Sequence, residues 1–240
     1  MIDWLKRPPV DPEIELNGDI VPIVLRQHPR AKRLTLRLAP DGKSVQITLP
    51  GWANTNEAIA FAHARTNWLA EQHARIPQRV APEPGGEVSY RGEPITLVWD
   101  ATAPRRPELA GKSLTLGGPE SNFSSRVRRW LEQKAQALFE ADMRDYTSAA
   151  HLDAVPVAIS RAQKRWGSCS DKSRIRINWR LVQAPDHVRR SVVAHEVAHL
   201  VHFDHSPAFH ALLSEIYEHD IAVADSWLKQ HGRSLYASFG

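Results

Sequence analysis

Cysteine is almost absent from the sequence, with Cys169 as its one occurrence among 240 residues. A disulfide framework inside the chain is therefore excluded, and a single thiol agrees with a reducing compartment. We interpret Cys169 as a small packing residue. A regulatory thiol and a metal ligand are the alternatives.

Long apolar runs and a targeting segment are also lacking. No stretch approaches the ~20 apolar residues that a membrane helix needs, and residues 1–9 contain no signal-peptide core. We therefore expect a cytoplasmic protein without a membrane partner. With 42% hydrophobic residues, the chain can bury a core for one or two domains.

The first half of the chain is predicted to be rich in strands. Alternating apolar residues predict a β-hairpin from residues 34–38 and 45–49, with a turn at 40–43. An Ala-rich segment with helical spacing predicts one helix over residues 53–75, stopped by Pro77. A second group of strands is expected at residues 88–90, 95–99 and 114–116.

The second half is predicted to be mainly helical. Gly117-Gly118-Pro119 is the predicted domain boundary, followed by a helix over residues 121–149. A further helix is expected to start near Pro185-Asp186, and a closing helix after Ser206-Pro207.

The most informative motif is His195-Glu196-Val197-Ala198-His199. Residues four apart project from nearly the same face of a helix, so His195 and His199 can offer two imidazole nitrogens to one metal ion. Val188 and Val192 continue this stripe, which indicates a core-facing position where imidazoles need partners. The competing interpretation is a His-rich helix whose rings pack on carbonyls or solvent.

The third ligand is expected to be His205, six residues after His199. A turn at Phe203-Asp204, then a Ser206 cap with Pro207 at the first helical position, would bring the chain back. His202 and His210 are interpreted as surface residues or as residues that orient a ligand. The alternative third ligands are carboxylates of the following helix, namely Glu215, Glu218 and Asp220.

The constellation points to hydrolytic chemistry. Three protein ligands on zinc leave one position for water, whose pKa falls to ~7. Glu196 is then placed to act as general base on that water. Zinc is predicted from the motif, while histidine ligands also bind nickel, cobalt or copper. Four residues are candidates for stabilising the oxyanion: His202, Tyr217, Arg165 and Asn178.

Several segments together resemble the YgjP-like metallopeptidase family, which is similar to the SprT and Wss-type zinc peptidases. They are Arg165-Trp166-Gly167-Ser168-Cys169, Ile177-Asn178-Trp179-Arg180-Leu181, and the segment from His195 to Phe209. The resemblance is dense over residues 161–209. It implies a peptidase acting on proteins or peptides, with Zn²⁺ held by His195, His199 and His205 and with Glu196 as catalytic base.

These observations predict an α+β fold. A β-hairpin-rich N-terminal half, residues 1–120, would be an accessory domain with one helix. The zinc metallopeptidase domain, residues 121–240, would be a zincin-like half with a small sheet, the HExxH helix and a closing helix. Alternation over residues 173–181 predicts a half-buried strand. Residues 174–180 are either a substrate-binding edge or an ordinary central strand.

Residues 161–190 form a basic strip, with nine Lys or Arg against Asp171 and Asp186. Because Trp166 and Trp179 are interleaved with these charges, nucleic acid is a candidate partner. The alternatives are a solvated basic face and a face that recognises acidic peptide residues.

Two other functions compete with a zinc peptidase. One is a nucleic-acid- or protein-binding module with a structural metal; the other is a small-molecule zinc amidohydrolase. Glu196 discriminates against the first, because a structural site fills all four positions with protein ligands and needs no base. A narrow closed pocket would favour the second.

Overall fold

The computed structural model describes residues 12–39, 41–76, 80–171 and 173–239. These residues form six α-helices and three small sheets, with a β-rich N-terminal half and a helical C-terminal half, so the predicted α+β class is confirmed. None of their helices is long and apolar enough to cross a membrane. Residues 1–9, in which no signal peptide is expected, lie outside the described residues, as do Pro40, Pro77 and Lys172.

The chain divides into two compact units, Met1–Gln78 and Arg79–Gly240. The first contains a four-stranded sheet in the order β1-β2-β4-β3. The predicted hairpin is its β3–β4 pair, with Leu38 opposite Val45. The elements of this unit are β1 (Glu13–Leu16), β2 (Asp19–Gln27), β3 (Thr35–Leu38), β4 (Val45–Leu49), α1 (Thr55–His63) and α2 (Thr66–Ala74).

The single helix predicted over residues 53–75 is wrong, because two helices replace it. The chain breaks after His63, whose carbonyl accepts a hydrogen bond from the Thr66 hydroxyl at 2.7 Å. Such a local side-chain bond offers the backbone an alternative to the helical ladder. Both helices still bury apolar side chains, since Ala58, Ala62 and Leu69 pack with the inward residues of the sheet.

The second unit begins with a four-stranded sheet in the order β5-β6-β8-β7. The turn between its first two strands is Arg91-Gly92, and both residues have positive φ, as a two-residue hairpin turn requires. The strands predicted here are confirmed, while β7 was not predicted. The four strands are β5 (Glu87–Tyr90), β6 (Glu93–Trp99), β7 (Glu108–Ala110) and β8 (Ser113–Leu116).

The rest of this unit is helical around a three-stranded sheet in the order β10-β11-β9. The long helix predicted over residues 121–149 starts at Phe123. Strand β9 was not predicted. The elements are α3 (Phe123–Ala149), β9 (Val157–Ser160), β10 (Gly167–Cys169), β11 (Ile175–Asn178), α4 (Asp186–Val201), α5 (Pro207–Ile216) and α6 (Ile221–His231).

One hydrophobic core joins both sheets of the second unit. Leu97 and Leu114 of the first sheet belong to the same buried cluster as Leu131 of α3, Ile177 of β11 and Val193 of α4. The compact units therefore divide between residues 78 and 79, whereas the functional division near residue 120 stays a prediction.

The β5–β6 turn is bonded to the start of α4. The Arg91 N–H donates to the Val182 carbonyl at 2.8 Å, and the Gly92 N–H donates to the Gln183 carbonyl at 3.1 Å. The Arg91 guanidinium also binds the Asp186 carboxylate in the first turn of α4. A Cβ on Gly92 would lie 2.9 Å from the Pro185 ring, so glycine permits this close approach.

Candidate metal centre and active site

Helix α4 places His195 and His199 on successive turns, with their Nε2 atoms 3.1 Å apart. The helix ends at Val201, and His202 has extended backbone angles that turn the chain away. The Asp204 carboxylate then accepts a hydrogen bond from the Ser206 N–H, and Ser206 caps α5 with Pro207 in the first turn. The structure thus has the turn that was predicted from these residues.

This turn brings His205 back to the helix, with its Nε2 atom 3.2 Å from that of His195. One donor nitrogen from each of the three histidines lies within 4.8 Å of the others. The competing carboxylates lie elsewhere: Glu218 binds Arg190, Asp220 caps α6 and Glu215 is exposed. The structure therefore brings together His195, His199 and His205.

The rings of His195 and His199 are arranged in ways that suit metal binding. Burial, together with the neighbouring His199, His205 and His210, lowers the pKa of His195 to about 4, so the ring is neutral near pH 7. Nδ1 of His199 lies 2.9 Å from the His202 carbonyl, which fixes Nδ1 as the donor and leaves Nε2 with a free electron pair. His202 therefore orients a ring through its backbone.

Phe209 forms the apolar wall of the cluster. Its ring centroid lies 5.0, 4.6 and 4.8 Å from those of His195, His199 and His205. The side chain is fully buried. It was quoted only as the last residue of the segment that resembles the family, because nothing in the sequence shows that this face of α5 meets the histidines.

The Glu196 carboxylate is buried, with 6% of the residue exposed, and lies against β10. Burial raises its pKa to about 7, while the Arg165 charge and the Cys169 N–H act in the opposite direction. A Cβ on Gly167 would lie 2.3 Å from Oε1 of Glu196, so glycine leaves the space that the carboxylate occupies and a larger residue would displace it. The need for glycine here was missed, because it arises from a contact between distant parts of the chain.

Two of the four candidate oxyanion donors are already engaged. The Tyr217 hydroxyl donates to the His187 carbonyl at 2.7 Å. The Asn178 amide donates to the Ala162 carbonyl at 2.7 Å, and its side chain is fully buried. Arg165 is exposed and lies close enough to Glu196 to lower its pKa, and His202 is partly exposed. These two remain as candidates.

Of the two alternatives for residues 174–180, the ordinary central strand is confirmed and the substrate-binding edge is wrong. Strand β11 is the central strand, paired with β9 on one side and β10 on the other. The edge next to the site is β10, whose three residues were quoted only as part of a recurring segment. The Trp166 carbonyl accepts from the Asn178 N–H and the Ser170 N–H donates to the Arg174 carbonyl, so the backbone groups of Gly167 and Cys169 point away from β11.

Six of the nine basic residues of the strip fall into two groups. Arg161 is paired with Glu132 at 2.9 Å, Arg189 with Asp142 at 2.7 Å, and Arg190 with Asp142 at 2.9 Å. Arg165, Arg174 and Arg176 are exposed and line one cavity of about 630 Å³. The strip is therefore not a continuous positive surface.

Comparison with protein families identifies the class of the molecule. A family model described as "YgjP-like, metallopeptidase domain" matches residues 32–231. The chain therefore belongs to the YgjP-like metallopeptidase family, as the motifs predicted. Membership supports a hydrolase that uses a metal ion and acts on proteins or peptides. Comparison with curated proteins and with solved structures gave no match.

Proposed function

We propose that the chain is a zinc-dependent peptidase in which His195, His199 and His205 hold the metal and Glu196 is the general base. The observation that carries this proposal is that three imidazole nitrogens lie within 4.8 Å of one another. The buried carboxylate of Glu196 directly follows the first of these histidines on α4. A neutral His195 ring and a base whose pKa is near 7 are suited to metal-assisted hydrolysis.

The donor set fits zinc. Imidazole nitrogens are ordinary zinc ligands, and catalytic zinc sites use three protein ligands. Among the described residues no fourth histidine, cysteine or carboxylate joins the cluster, which supports a catalytic role over a structural one. When bound, zinc supplies Lewis acidity, which lowers the pKa of water and polarises a carbonyl group.

Glu196 supplies the proton transfers. With a pKa of about 7, its carboxylate can accept a proton from the attacking water and later give it to the leaving amine. The Cys169 N–H and the Arg165 charge favour the ionised form, which is the form that accepts the proton. Gly167 leaves the space in which the carboxylate lies beside β10.

The edge of β10 is suited to an extended peptide. The main-chain groups of Gly167 and the Cys169 carbonyl point away from β11, and a substrate strand can pair with such groups, while the Cys169 N–H is taken by Glu196. A peptide bound there would pass the Glu196 carboxylate, since that carboxylate contacts β10. This arrangement supports a peptide over a small molecule as the substrate.

The metal content of the wild type and of ligand variants tests the proposed metal site, and the activity of a Glu196 variant tests the proposed base. Elemental mass spectrometry on the purified chain should find near one zinc per chain, sharply reduced in His199→Ala and in His205→Ala. Glu196→Gln should keep the zinc and lose hydrolysis of a peptide library. His210→Ala is the matched control, because its ring lies beside His205 but outside the cluster.

Zinc that persists in His205→Ala would contradict the proposed ligand set and point to another third ligand. A wild-type chain that binds no metal under several loading conditions would overturn the proposal as a whole.

A further inference from the structure

A cavity of about 630 Å³ opens on the side of the small sheet that faces away from α4. Arg176 and Ser168 are paired across β11 and β10, and their neighbours Ile175 and Ile177 point to the opposite, buried face. The charged residues that line the cavity are Arg165, Arg174, Arg176 and Asp171, which give it a net charge of +2, three guanidinium groups less one carboxylate.

Among the described residues, Arg174 and Arg176 have no carboxylate within ion-pair distance, while Arg165 lies near Glu196 and lowers its pKa. The other arginines of the basic strip near α4 are paired: Arg189 and Arg190 bind Asp142, and both arginines have further acidic neighbours. An arginine in a concave surface that forms no ion pair within the protein can bind the carboxylate or phosphate of a ligand.

The cavity adjoins the edge at which the proposed substrate binds. Ser168 and Cys169 of β10 line it. A peptide strand paired with β10 would direct alternate side chains to the two faces of the sheet. Every second side chain would therefore point towards the face that carries Arg176. Glutamate is long enough to extend from such a position towards the arginines.

We propose that this cavity selects acidic substrates, with Arg174 and Arg176 binding the side-chain carboxylates of a peptide paired with β10. The inference rests on the proposed peptidase function and adds a substrate class to it. Bidentate pairing between guanidinium and carboxylate supplies both affinity and direction.

The same surface is poorly suited to nucleic acid. Base stacking needs exposed aromatic rings along the charged groove. Trp179 is 1% exposed, and Trp166 packs against Tyr236 with ring centroids 5.6 Å apart. Pairing of Arg161, Arg189 and Arg190 also interrupts the charge that would follow a phosphate backbone.

The test measures binding in the absence of hydrolysis. Zinc-loaded Glu196→Gln is titrated into a fluorescein-labelled ten-residue peptide with glutamate at alternate positions, and into the same peptide with glutamine at those positions. Fluorescence anisotropy should give a Kd roughly tenfold lower for the glutamate peptide, as expected for charge-assisted bonds at a partly exposed site.

The arginines are then changed in the same Glu196→Gln background. Arg174→Gln with Arg176→Gln should bring the two Kd values together. The matched control is Arg106→Gln with Arg129→Gln, which removes equal charge from exposed arginines of another cavity and should preserve the preference. Arg176→Glu should favour a lysine-containing version of the peptide. Thermal unfolding verifies that each variant is folded.

Equal Kd values for the glutamate and glutamine peptides would overturn the proposal, as would an equal loss of preference in both arginine pairs. Tighter binding of a single-stranded ten-nucleotide DNA than of the glutamate peptide would overturn it in favour of nucleic acid. A glutamate preference in a chain whose wild type hydrolyses no peptide would support the cavity and reject only the peptidase function.

Discussion

The two halves of α4 differ in how their polar side chains are satisfied. In the first half, Arg189 is 3% exposed and binds Asp142, which is 2% exposed and lies on α3. Arg190 adds contacts to Asp142, Asp145 and Glu218. In the second half, His195 and His199 meet a third histidine, and the cluster contains no carboxylate from the described residues.

The first half of α4 therefore holds the helix in place, and the second half is suited to binding a ligand. Charges in the first half are neutralised within the protein, so they hold the helix against α3 and leave little affinity for an external ligand. Nitrogens in the second half converge without an internal partner of opposite charge, so an added cation is their natural partner. Changes in the first half should therefore alter stability, and changes in the second half should alter metal binding and activity.

The largest effect is expected in the second half. Glu196→Gln should lower kcat for peptide hydrolysis by about 10³-fold, because general base catalysis contributes 10²–10⁴-fold. The midpoint of thermal unfolding should stay the same or rise, since a buried group that ionises is replaced by a neutral amide of the same shape. Steady-state kinetics and calorimetry test both parts. Retention of full activity would remove Glu196 from the mechanism.

In the first half, Asp142→Ala should destabilise the fold by about 3–5 kcal/mol, because it removes the buried partner of Arg189 and leaves that charge only the partly exposed Asp186. Zinc content per folded chain should not change. Urea unfolding measures the loss. Asp145→Ala is the matched control and should cost less than about 1 kcal/mol, since Asp145 forms an exposed pair with Arg190. An equal loss in both variants would show that burial does not distinguish the two pairs.

Gly167→Ala tests the contact between β10 and α4. The added methyl group would occupy the space of the Glu196 carboxylate and displace it. We expect about a 10²-fold loss of kcat with zinc retained, as for other small displacements of reacting groups. Gly51→Ala is the control, because a Cβ there meets nothing within 4 Å. Loss of zinc in Gly167→Ala would mean that the strand supports the histidines as well as the base.

The smallest effect is expected in the pH dependence of stability, through Asp186 in the first half of α4. Burial on its own would raise the pKa of Asp186, but hydrogen bonds and charges from Arg91 and Arg189 outweigh it and hold the pKa below its usual value. Because the pKa of Asp186 is lower in the folded than in the unfolded protein, its ionised form stabilises the fold at pH values above the unfolded pKa of about 3.9. This stabilisation is lost as the pH falls through the pKa of the folded state. Asp186→Asn should therefore narrow the difference in unfolding midpoint between pH 7 and pH 3.

The parts that were predictable from the sequence are local. The spacing of His195 and His199, the turn at Asp204 and the cap at Ser206 depend on residues within a few positions of one another. Alternating leucines predicted the β3–β4 hairpin for the same reason. Even so, the Thr66 hydroxyl divided a helix that apolar spacing alone predicted to be continuous.

The parts that were missed depend on distant contacts. Strand order decides that β10 is the edge and β11 the centre, and a short run such as Gly167-Ser168-Cys169 carries no sign of it. The absence of a side chain at position 167 matters only because Glu196 lies opposite. Likewise, the basic strip became two groups through carboxylates on α3 and after α5 that the sequence places far from it.

The turn at Arg91-Gly92 bears on how small an active fragment can be. Two backbone donors and one guanidinium from this turn bind the residues from Val182 to Asp186, directly before and within the first turn of α4. A fragment that starts at residue 121 would keep every residue of the histidine motif and lose these bonds, together with the apolar cover from β6 and β8. The minimal catalytic unit should therefore begin upstream of β5, because the first four strands of the second unit support α4.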